Sequence, residues 1–127
     1  MSSELTRDFT VAVFVVHQQH VLLHPHAKIG IWLPPGGHID APELPDEAAV
    51  REVMEEAGIE IELVGERGIG LDVPDLPLQL VRPEGIQLEN ISPNHQHIDL
   101  ISGRGVVDQG CRCQEIASDG PVEQPLV

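Results

Sequence analysis

The chain has 127 residues, of which 21 are acidic and 7 are basic, and its formal net charge at pH 7 is −14. This length predicts one domain with a modest core, and the acidic excess argues against binding to nucleic acid or to an anionic membrane. The longest apolar run near the N-terminus, residues 11–16, is too short for a membrane span or a signal peptide, so we expect a cytoplasmic protein.

Alternating and continuous apolar runs predict a mixture of strands and one helix. We expect a helix over residues 45–57 and strands over residues 10–16, 21–23, 31–33, 59–64 and 97–101. The first strand is apolar on both faces, which indicates an interior strand, and it forms a hairpin with the second.

Other segments carry weaker structural signals. Residues 72–93 contain four prolines and are predicted to form a long surface loop with short extended pieces, and residues 1–8 and about 115–127 are expected to be poorly ordered. No amphipathic helix of three turns is evident after Ile101. A core with so few aromatic residues would gain buried area in a homodimer, although no residue identifies an interface.

The ends of the predicted helix have contrasting signals. Pro45 suits the first helical position and Gly58 suits the position just after the last turn. Leu44 is a poor N-cap, worth about 1 kcal/mol less than serine.

Three carboxylates are crowded onto one side of this helix. At about 100° per residue, Glu52, Glu55 and Glu56 lie within an arc of roughly 100°, and a separate apolar stripe is available for packing. Two like charges about 4 Å apart repel by roughly 4 kcal/mol at an effective dielectric near 20. A hard divalent cation would remove that repulsion, whereas the ordinary alternative is a solvated acidic face.

The segment 37–59 resembles the box of the Nudix hydrolase family (MutT-like proteins), G-x5-E-x7-R-E-U-x-E-E-x-G-U, at every specified position. The preceding Pro34–His38 is also similar to the family's approach to the box, and together they supply the strand–loop–helix context that such a motif requires. The box covers less than a fifth of the chain. Asp40, Pro42 and Leu44 depart from the family's usual Glu, Gly and Ser or Thr, which affects the loop and not the carboxylates.

This resemblance implies an α/β fold of the Nudix type. The expected architecture is an α/β/α sandwich with a mixed β-sheet and a loop–helix–loop motif, formed by one domain over residues 1–127 with a shortened C-terminal end. The family's residues imply Mg²⁺ or Mn²⁺ bound by Glu52, Glu55 and Glu56, with a carbonyl of Gly36 or Gly37 as a further oxygen ligand.

The resemblance also implies roles around these ligands. Glu55 or Glu52 is the candidate general base, although family members also recruit an acid from a later loop, for which the candidates are Asp108, Glu115 and Asp119. Arg51 is expected to orient the carboxylates by pairing with Glu43 across the loop, or with Glu47 or Glu55 along the helix. Gly37, Glu43 and Gly58 are the expected scaffold of the box.

Histidines and Trp32 are candidates for substrate contact. His38 follows the glycine pair, and His95 and His97 would face the same side of a strand. Trp32 could stack on a base or anchor the core. His95 and His97 could instead join Cys111 and Cys113 in a zinc site, but the C-x-C spacing does not favour it.

The implied activity is divalent-metal-dependent hydrolysis of the pyrophosphate bond in a nucleoside diphosphate linked to another moiety. ADP-ribose or a nucleotide sugar is favoured, because Pro74 lies where ADP-ribose-hydrolysing members often carry proline. The absence of tyrosine disfavours dinucleoside polyphosphates, and (d)NTPs come next. The alternative is a Nudix-like module that binds a nucleotide or a metal without hydrolysing anything.

Overall fold

A mixed β-sheet with one helix packed on a face forms the described part of the chain. The computed structural model describes residues 4–25, 30–69, 74–107 and 122–125. The elements in chain order are β1 (Thr6–His17), β2 (His20–Pro25), β3 (Trp32–Leu33), β4 (Gly36–His38), α1 (Pro45–Ala57), β5 (Ile61–Val64), β6 (Gly85–Ser92), β7 (His95–Val107) and β8 (Val122–Pro125). The strand order is β3-β2-β1-β7-β5, with β4 also pairing with β1, β6 with β7 and β8 with β2.

Strand β1 lies in the interior of the sheet, as its apolar sequence predicts. It forms the expected hairpin with β2, in which Val16 pairs with Val21. On its other edge β1 runs parallel to β7, which makes the sheet mixed. The strand begins at Thr6 and not at Thr10, because β7 offers hydrogen-bonding partners to the polar residues that the sequence places in a poorly ordered end.

The predicted surface loop at 72–93 contains a strand, which corrects the sequence interpretation. Strand β6 pairs antiparallel with β7, from Gly85 opposite Ile101 to Ser92 opposite His95. The prolines of this region lie outside β6, so they bound the strand without interrupting its hydrogen bonds. Within it Ile86 and Leu88 alternate with polar residues, which is the period of a strand.

The end of the described chain also adds to the sheet. Strand β7 continues to Val107, beyond the predicted end at residue 101, with a register irregularity where Gly103 is inserted opposite β1. Strand β8, inside the segment expected to be poorly ordered, pairs antiparallel with β2. Among the described residues α1 is the only helix, so they show two layers of the expected sandwich.

The core lies between α1 and the sheet. Ala48, Ala49 and Val53 on the apolar face of α1 are fully buried. They join a cluster with residues of the strands and of the turn after α1: Val11, Val13, Val15, Leu22, Ile59 and Ile61. The carboxylates of the helix lie next to this packed face, where Glu52 and Glu56 approach β4. No helix in the described ranges is long and apolar enough to cross a membrane.

Helix α1 has the predicted bounds, and its two ends differ in how completely they are capped. At the C-terminal end Gly58 adopts a left-handed conformation (φ 67°) and its N–H donates to the carbonyl oxygen of Met54 at 2.9 Å. At the N-terminal end the N–H of Leu44 donates to Glu47 Oε1 at 2.9 Å. The leucine side chain has no oxygen to accept the N–H of Glu47, so this capping arrangement is only half complete.

Completing the N-cap should stabilise the protein. We expect Leu44→Ser to be more stable than Leu44→Ala by about 1 kcal/mol, because only the serine hydroxyl accepts a helix N–H. Both substitutions remove the same half-exposed leucine side chain, so their difference isolates the cap. Urea denaturation followed by circular dichroism measures it, and equal midpoints for the two variants would contradict the prediction.

Candidate active site around the loop and helix α1

Strand β4 brings the glycine pair against the carboxylate side of α1. Gly36 and Gly37 pair with Ala12 and Val11 of β1. A Cβ atom placed on Gly37 would lie 2.5 Å from Cδ of Glu52, so only glycine lets this carboxylate approach the backbone. A Cβ atom on Gly36 would collide with the carbonyl of Val11. The backbone contact requires glycine at position 36, whereas a side chain at position 37 would displace the Glu52 carboxylate.

Arg51 is the centre of the polar network. Its guanidinium donates two hydrogen bonds to Glu43, from Nε to Oε2 at 2.7 Å and from Nη2 to Oε1 at 2.9 Å. Nη1 donates to Glu52 Oε1 at 3.0 Å and to Glu55 Oε2 at 3.1 Å. Nη2 also donates to the backbone carbonyl of His38 at 2.9 Å. One planar cation thus joins the loop, strand β4 and the helix.

These contacts decide between the partners considered for Arg51. The structure pairs Arg51 with Glu43 across the loop and with Glu55 one turn along the helix, whereas Glu47 caps the helix start. The hydrogen bond from Arg51 lowers the pKa of Glu43, against the opposing effect of its desolvation. The hydrogen bond to Glu43 likewise raises the pKa of Arg51 further above its ordinary value. Glu43 also accepts the N–H of Asp40 at 3.1 Å and so holds the loop.

Glu56 lies in a different environment from Glu55. Its Oε2 is 2.8 Å from Nε2 of His24 and 3.3 Å from the N–H of Gly36. Burial raises the pKa of Glu56 to about 7, the Gly36 N–H opposes this, and the nearby carboxylates of Glu52 and Glu55 raise it further. Glu52 lies within hydrogen-bonding reach of Glu56. Two carboxyl groups are therefore held together in a partly buried place.

This donor set fits a hard divalent cation. The side chains of Glu52 and Glu56 are 13% and 27% exposed, and both lie beside the glycine pair. Glu55 is 58% exposed and turned towards Arg51. Of the three predicted ligands, the structure brings two together and places the third beside them on the same helix side. Carboxylate oxygens next to a backbone carbonyl are the donors that Mg²⁺ and Mn²⁺ prefer.

Comparison with known proteins places this geometry in a family. The model of the NUDIX domain matches residues 6–83, which is more than half of the chain. The chain belongs to the NUDIX family. The predicted family and the predicted Nudix-type mixed sheet are thereby confirmed, and so the box segment has the structural context its motif requires.

Relatives of the chain are hydrolases by name. A protein of Bacillus subtilis (strain 168), named provisionally as an 8-oxo-dGTP diphosphatase, is 36% identical over 64 residues. The match spans 48% of this chain and 43% of that protein, less than half of the relative's length. A NUDIX-family hydrolase structure from Clostridium perfringens is 34% identical, with a TM-score of 0.71, and the match covers 95% of this chain and 83% of the other. Both support the predicted class of Nudix pyrophosphohydrolase.

More distant structures share the fold. A UDP-X diphosphatase superposes with a TM-score of 0.64 at 15% identity, covering 98% of this chain and 53% of the other. A MutT NUDIX hydrolase from Burkholderia pseudomallei superposes with a TM-score of 0.65 at 16% identity, covering 94% of this chain and 83% of the other. At these identities the likeness shows the fold.

The three candidates for substrate contact in this NUDIX chain lie in two separate parts of the structure. His38 and His97 meet edge to face, with ring centroids 4.8 Å apart. Trp32 lies in β3 opposite Pro25 and is half exposed, apart from the two histidines. His95 and His97 face the same side of β7, as their spacing predicts, with centroids 5.1 Å apart.

Two acidic residues beside these histidines were missed from the sequence. Asp8 contacts His38 and His95, and the buried Asp99 accepts hydrogen bonds from Thr10 at 2.8 Å and from Gln87 at 3.0 Å. The alternation of Asp8 and Thr10 with apolar residues could have extended the predicted first strand towards the N-terminus. The polar character of residues 1–8 instead led to the prediction of a poorly ordered end. The candidate bases Asp108, Glu115 and Asp119, and the cysteines Cys111 and Cys113, lie outside the described residues.

Glu56 should make the stability of the metal-free protein depend on pH. Its folded pKa of about 7 exceeds its ordinary value of 4.5, so the fold favours the neutral carboxyl. This contribution to the free energy of unfolding is present below about pH 4.5 and is lost as the pH rises through 7. We expect a smaller decline over this window in Glu56→Gln, which cannot ionise.

Urea denaturation between pH 4.5 and 8 in the presence of EDTA measures this difference. Glu60→Gln is the matched control, because Glu60 is exposed just beyond the helix. The control should follow the wild type. Parallel profiles for the wild type and Glu56→Gln would count against the raised pKa.

Proposed function

We propose that this NUDIX chain hydrolyses the pyrophosphate bond of a nucleoside diphosphate linked to another moiety. The observation that carries the proposal is the arrangement of Glu52 and Glu56 against the glycine pair, organised by Arg51. Such a constellation gathers carboxyl groups beside two residues that have no side chain, which is an arrangement typical of a metal-binding site.

The proposed cofactor is Mg²⁺ or Mn²⁺. Glu52 and Glu56 would hold it, with Glu55 beside them and the carbonyl of Gly36 or Gly37 as a further oxygen donor. When bound, such an ion neutralises phosphate charge and lowers the pKa of a coordinated water. Burial and, secondarily, the carboxylates of Glu52 and Glu55 raise the pKa of Glu56. A bound cation would offset both effects and favour the ionised carboxylate.

The remaining side chains of the box would position the metal-binding carboxylates and deprotonate the attacking water. Arg51 holds the Glu52 carboxylate through Nη1 and so fixes its direction relative to Gly37. Of the two candidate bases, Glu55 is 58% exposed and Glu52 is 13% exposed. A general base must reach the attacking water, so we favour Glu55. The scaffold roles fall to Glu43, which fixes the loop, to Gly37 and to Gly58, which ends the helix.

The substrate is a small molecule related to nucleotides. ADP-ribose or a nucleotide sugar remains the favoured class, with (d)NTPs next, and the named activity of the Bacillus subtilis relative adds 8-oxo-dGTP to that second class. Of the three residues that the sequence nominated as substrate contacts, His38 and His97 pair with Thr10 and Asp8 on the face of the sheet opposite α1. Trp32 is therefore the substrate contact that we propose. We further propose that the protein acts in the cytoplasm, as a homodimer and without nucleic-acid or membrane partners.

Phosphate release from a substrate panel tests the activity directly. The panel contains ADP-ribose, nucleotide sugars, dinucleoside polyphosphates, (d)NTPs and 8-oxo-dGTP, each with Mg²⁺ or Mn²⁺ and with or without a coupled phosphatase. We expect turnover of at least one class, and loss of measurable turnover in Glu56→Gln and in the presence of EDTA.

Glu60→Gln serves as the control, because it removes an exposed carboxylate of the same kind outside the cluster. It should keep the wild-type rate. A folded protein that binds Mn²⁺ but turns over none of the panel would overturn the hydrolase proposal, and would support the module that binds without hydrolysing.

Arg51→Lys tests the organising role of the guanidinium. A lysine keeps the charge but cannot donate at once to Glu43, Glu52, Glu55 and the His38 carbonyl. We expect Mn²⁺ affinity or turnover to fall about 10–100-fold, as for other residues that orient ligands, with an unchanged far-ultraviolet circular dichroism spectrum.

The matched control for Arg51→Lys is Arg82→Lys. Arg82 also bonds a glutamate, Glu66 at 2.9 Å, but on the exposed surface. This control should leave Mn²⁺ binding and turnover as in the wild type. Equal binding and turnover in Arg51→Lys would show that the fork geometry of Arg51 is dispensable.

A further inference from the structure

A second polar cluster lies on the sheet, formed by Asp8, His38 and His97. One ligand-type atom from each of these three side chains lies within 4.8 Å of the other two. Among the described residues it is the one group of His, Cys, Asp and Glu side chains that converges in this way. The glutamates of the box do not converge to this extent.

The cluster lies on the face of the sheet opposite α1. Val11 faces the helix, as its burial with Ala49 and Val53 shows. Successive residues of a strand point to opposite faces, so Asp8 and Thr10 face the other way. His97 pairs with Asp8 and His38 pairs with Thr10, and paired residues share a face. The sheet therefore separates this cluster from the carboxylates of α1.

The ligand-type atoms of the cluster lie close enough to share one ion. Oδ2 of Asp8 lies 3.1 Å from Nε2 of His38, and a ring nitrogen of His97 lies within 4.8 Å of both. First-row metals bind imidazole and carboxylate at about 2.0–2.2 Å, which places neighbouring ligand atoms about 3 Å apart. His97 would therefore move towards the other two side chains when an ion binds.

Strand pairing brings the members of the cluster together. Its three members belong to β1, β4 and β7, which are adjacent in the sheet. His95 contacts Asp8 through Nε2, and its Nδ1 lies 2.7 Å from Oγ1 of Thr6. Carboxylates that bind a metal are commonly oriented by such a hydrogen-bonding partner. The side chains of Asp8 and His38 are 46% and 55% exposed, which gives an ion access.

The donor chemistry differs from that of the box. Imidazole nitrogens suit Zn²⁺, Co²⁺, Ni²⁺ or Cu²⁺, whereas all-oxygen sets suit Mg²⁺ and Mn²⁺. We propose that Asp8, His38 and His97 form a binding site for a first-row transition-metal ion such as Zn²⁺, separate from the box. His95 positions the Asp8 carboxylate. The site differs from the combination of His95 and His97 with the late cysteines that the sequence suggested.

Titration of the untagged, metal-free full chain with Co²⁺ tests the site. Excess Mg²⁺ competes with Co²⁺ for the oxygen ligands of the box proposed above, and the visible absorption of Co²⁺ reports on its ligands, with Zn²⁺ displacement as a second readout. We expect Asp8→Asn and His97→Ala each to weaken Co²⁺ binding by about tenfold or more. Glu56→Gln and His20→Ala, the latter a histidine on the β1–β2 hairpin, should keep the wild-type affinity.

Several results would overturn the site. One is the absence of any Co²⁺ spectrum in the wild type. Another is binding that is lost in Glu56→Gln, or in Cys111→Ser with Cys113→Ser, while Asp8→Asn binds normally. If His97→Ala does not fold, as judged by circular dichroism, His38→Gln replaces it, because the His38 side chain is 55% exposed.

Discussion

The acidic loop–helix segment depends on the guanidinium of Arg51. Glutamates 43, 52 and 55 and the carbonyl of His38 all receive hydrogen bonds from this one group. Without it the carboxylates would repel one another and the loop would lose its link to the helix. Because the guanidinium is planar and donates in fixed directions, it sets the position of each carboxylate as well as its charge. The Glu52 carboxylate, held in this way, lies in the space that a side chain at Gly37 would occupy.

The sheet gives the protein two chemically distinct faces. On one face the valines of β1 pack under α1, and the helix presents oxygen donors at the glycine pair. On the other face the parallel pairing of β1 with β7 aligns Asp8 with His97 and Thr10 with Asp99. Strand β4 serves both, because Gly37 faces the helix while His38 faces the histidines. A change in the register of β1 by one residue would exchange these faces.

Prediction from sequence was most successful where local signals agree. The helix has the predicted bounds because Pro45, the apolar stripe and Gly58 all act within a few residues. The prediction was wrong for residues 85–92, where the nearby prolines outweighed the alternation of Ile86 and Leu88. It also missed Asp8, whose place in β1 depends on a partner strand about ninety residues away.

The sequence by itself determined the family, the box helix and the three carboxylates on one helix side, since these follow from motif and helical period. Only the tertiary structure decided how those groups are used. It paired Arg51 with Glu43 and Glu55, brought Glu56 beside His24 and the Gly36 N–H, and turned Glu55 outwards. It also joined Asp8, His38 and His97 from three strands. Such contacts depend on strand pairing between distant segments, and no local pattern in a chain encodes which distant strand becomes its neighbour.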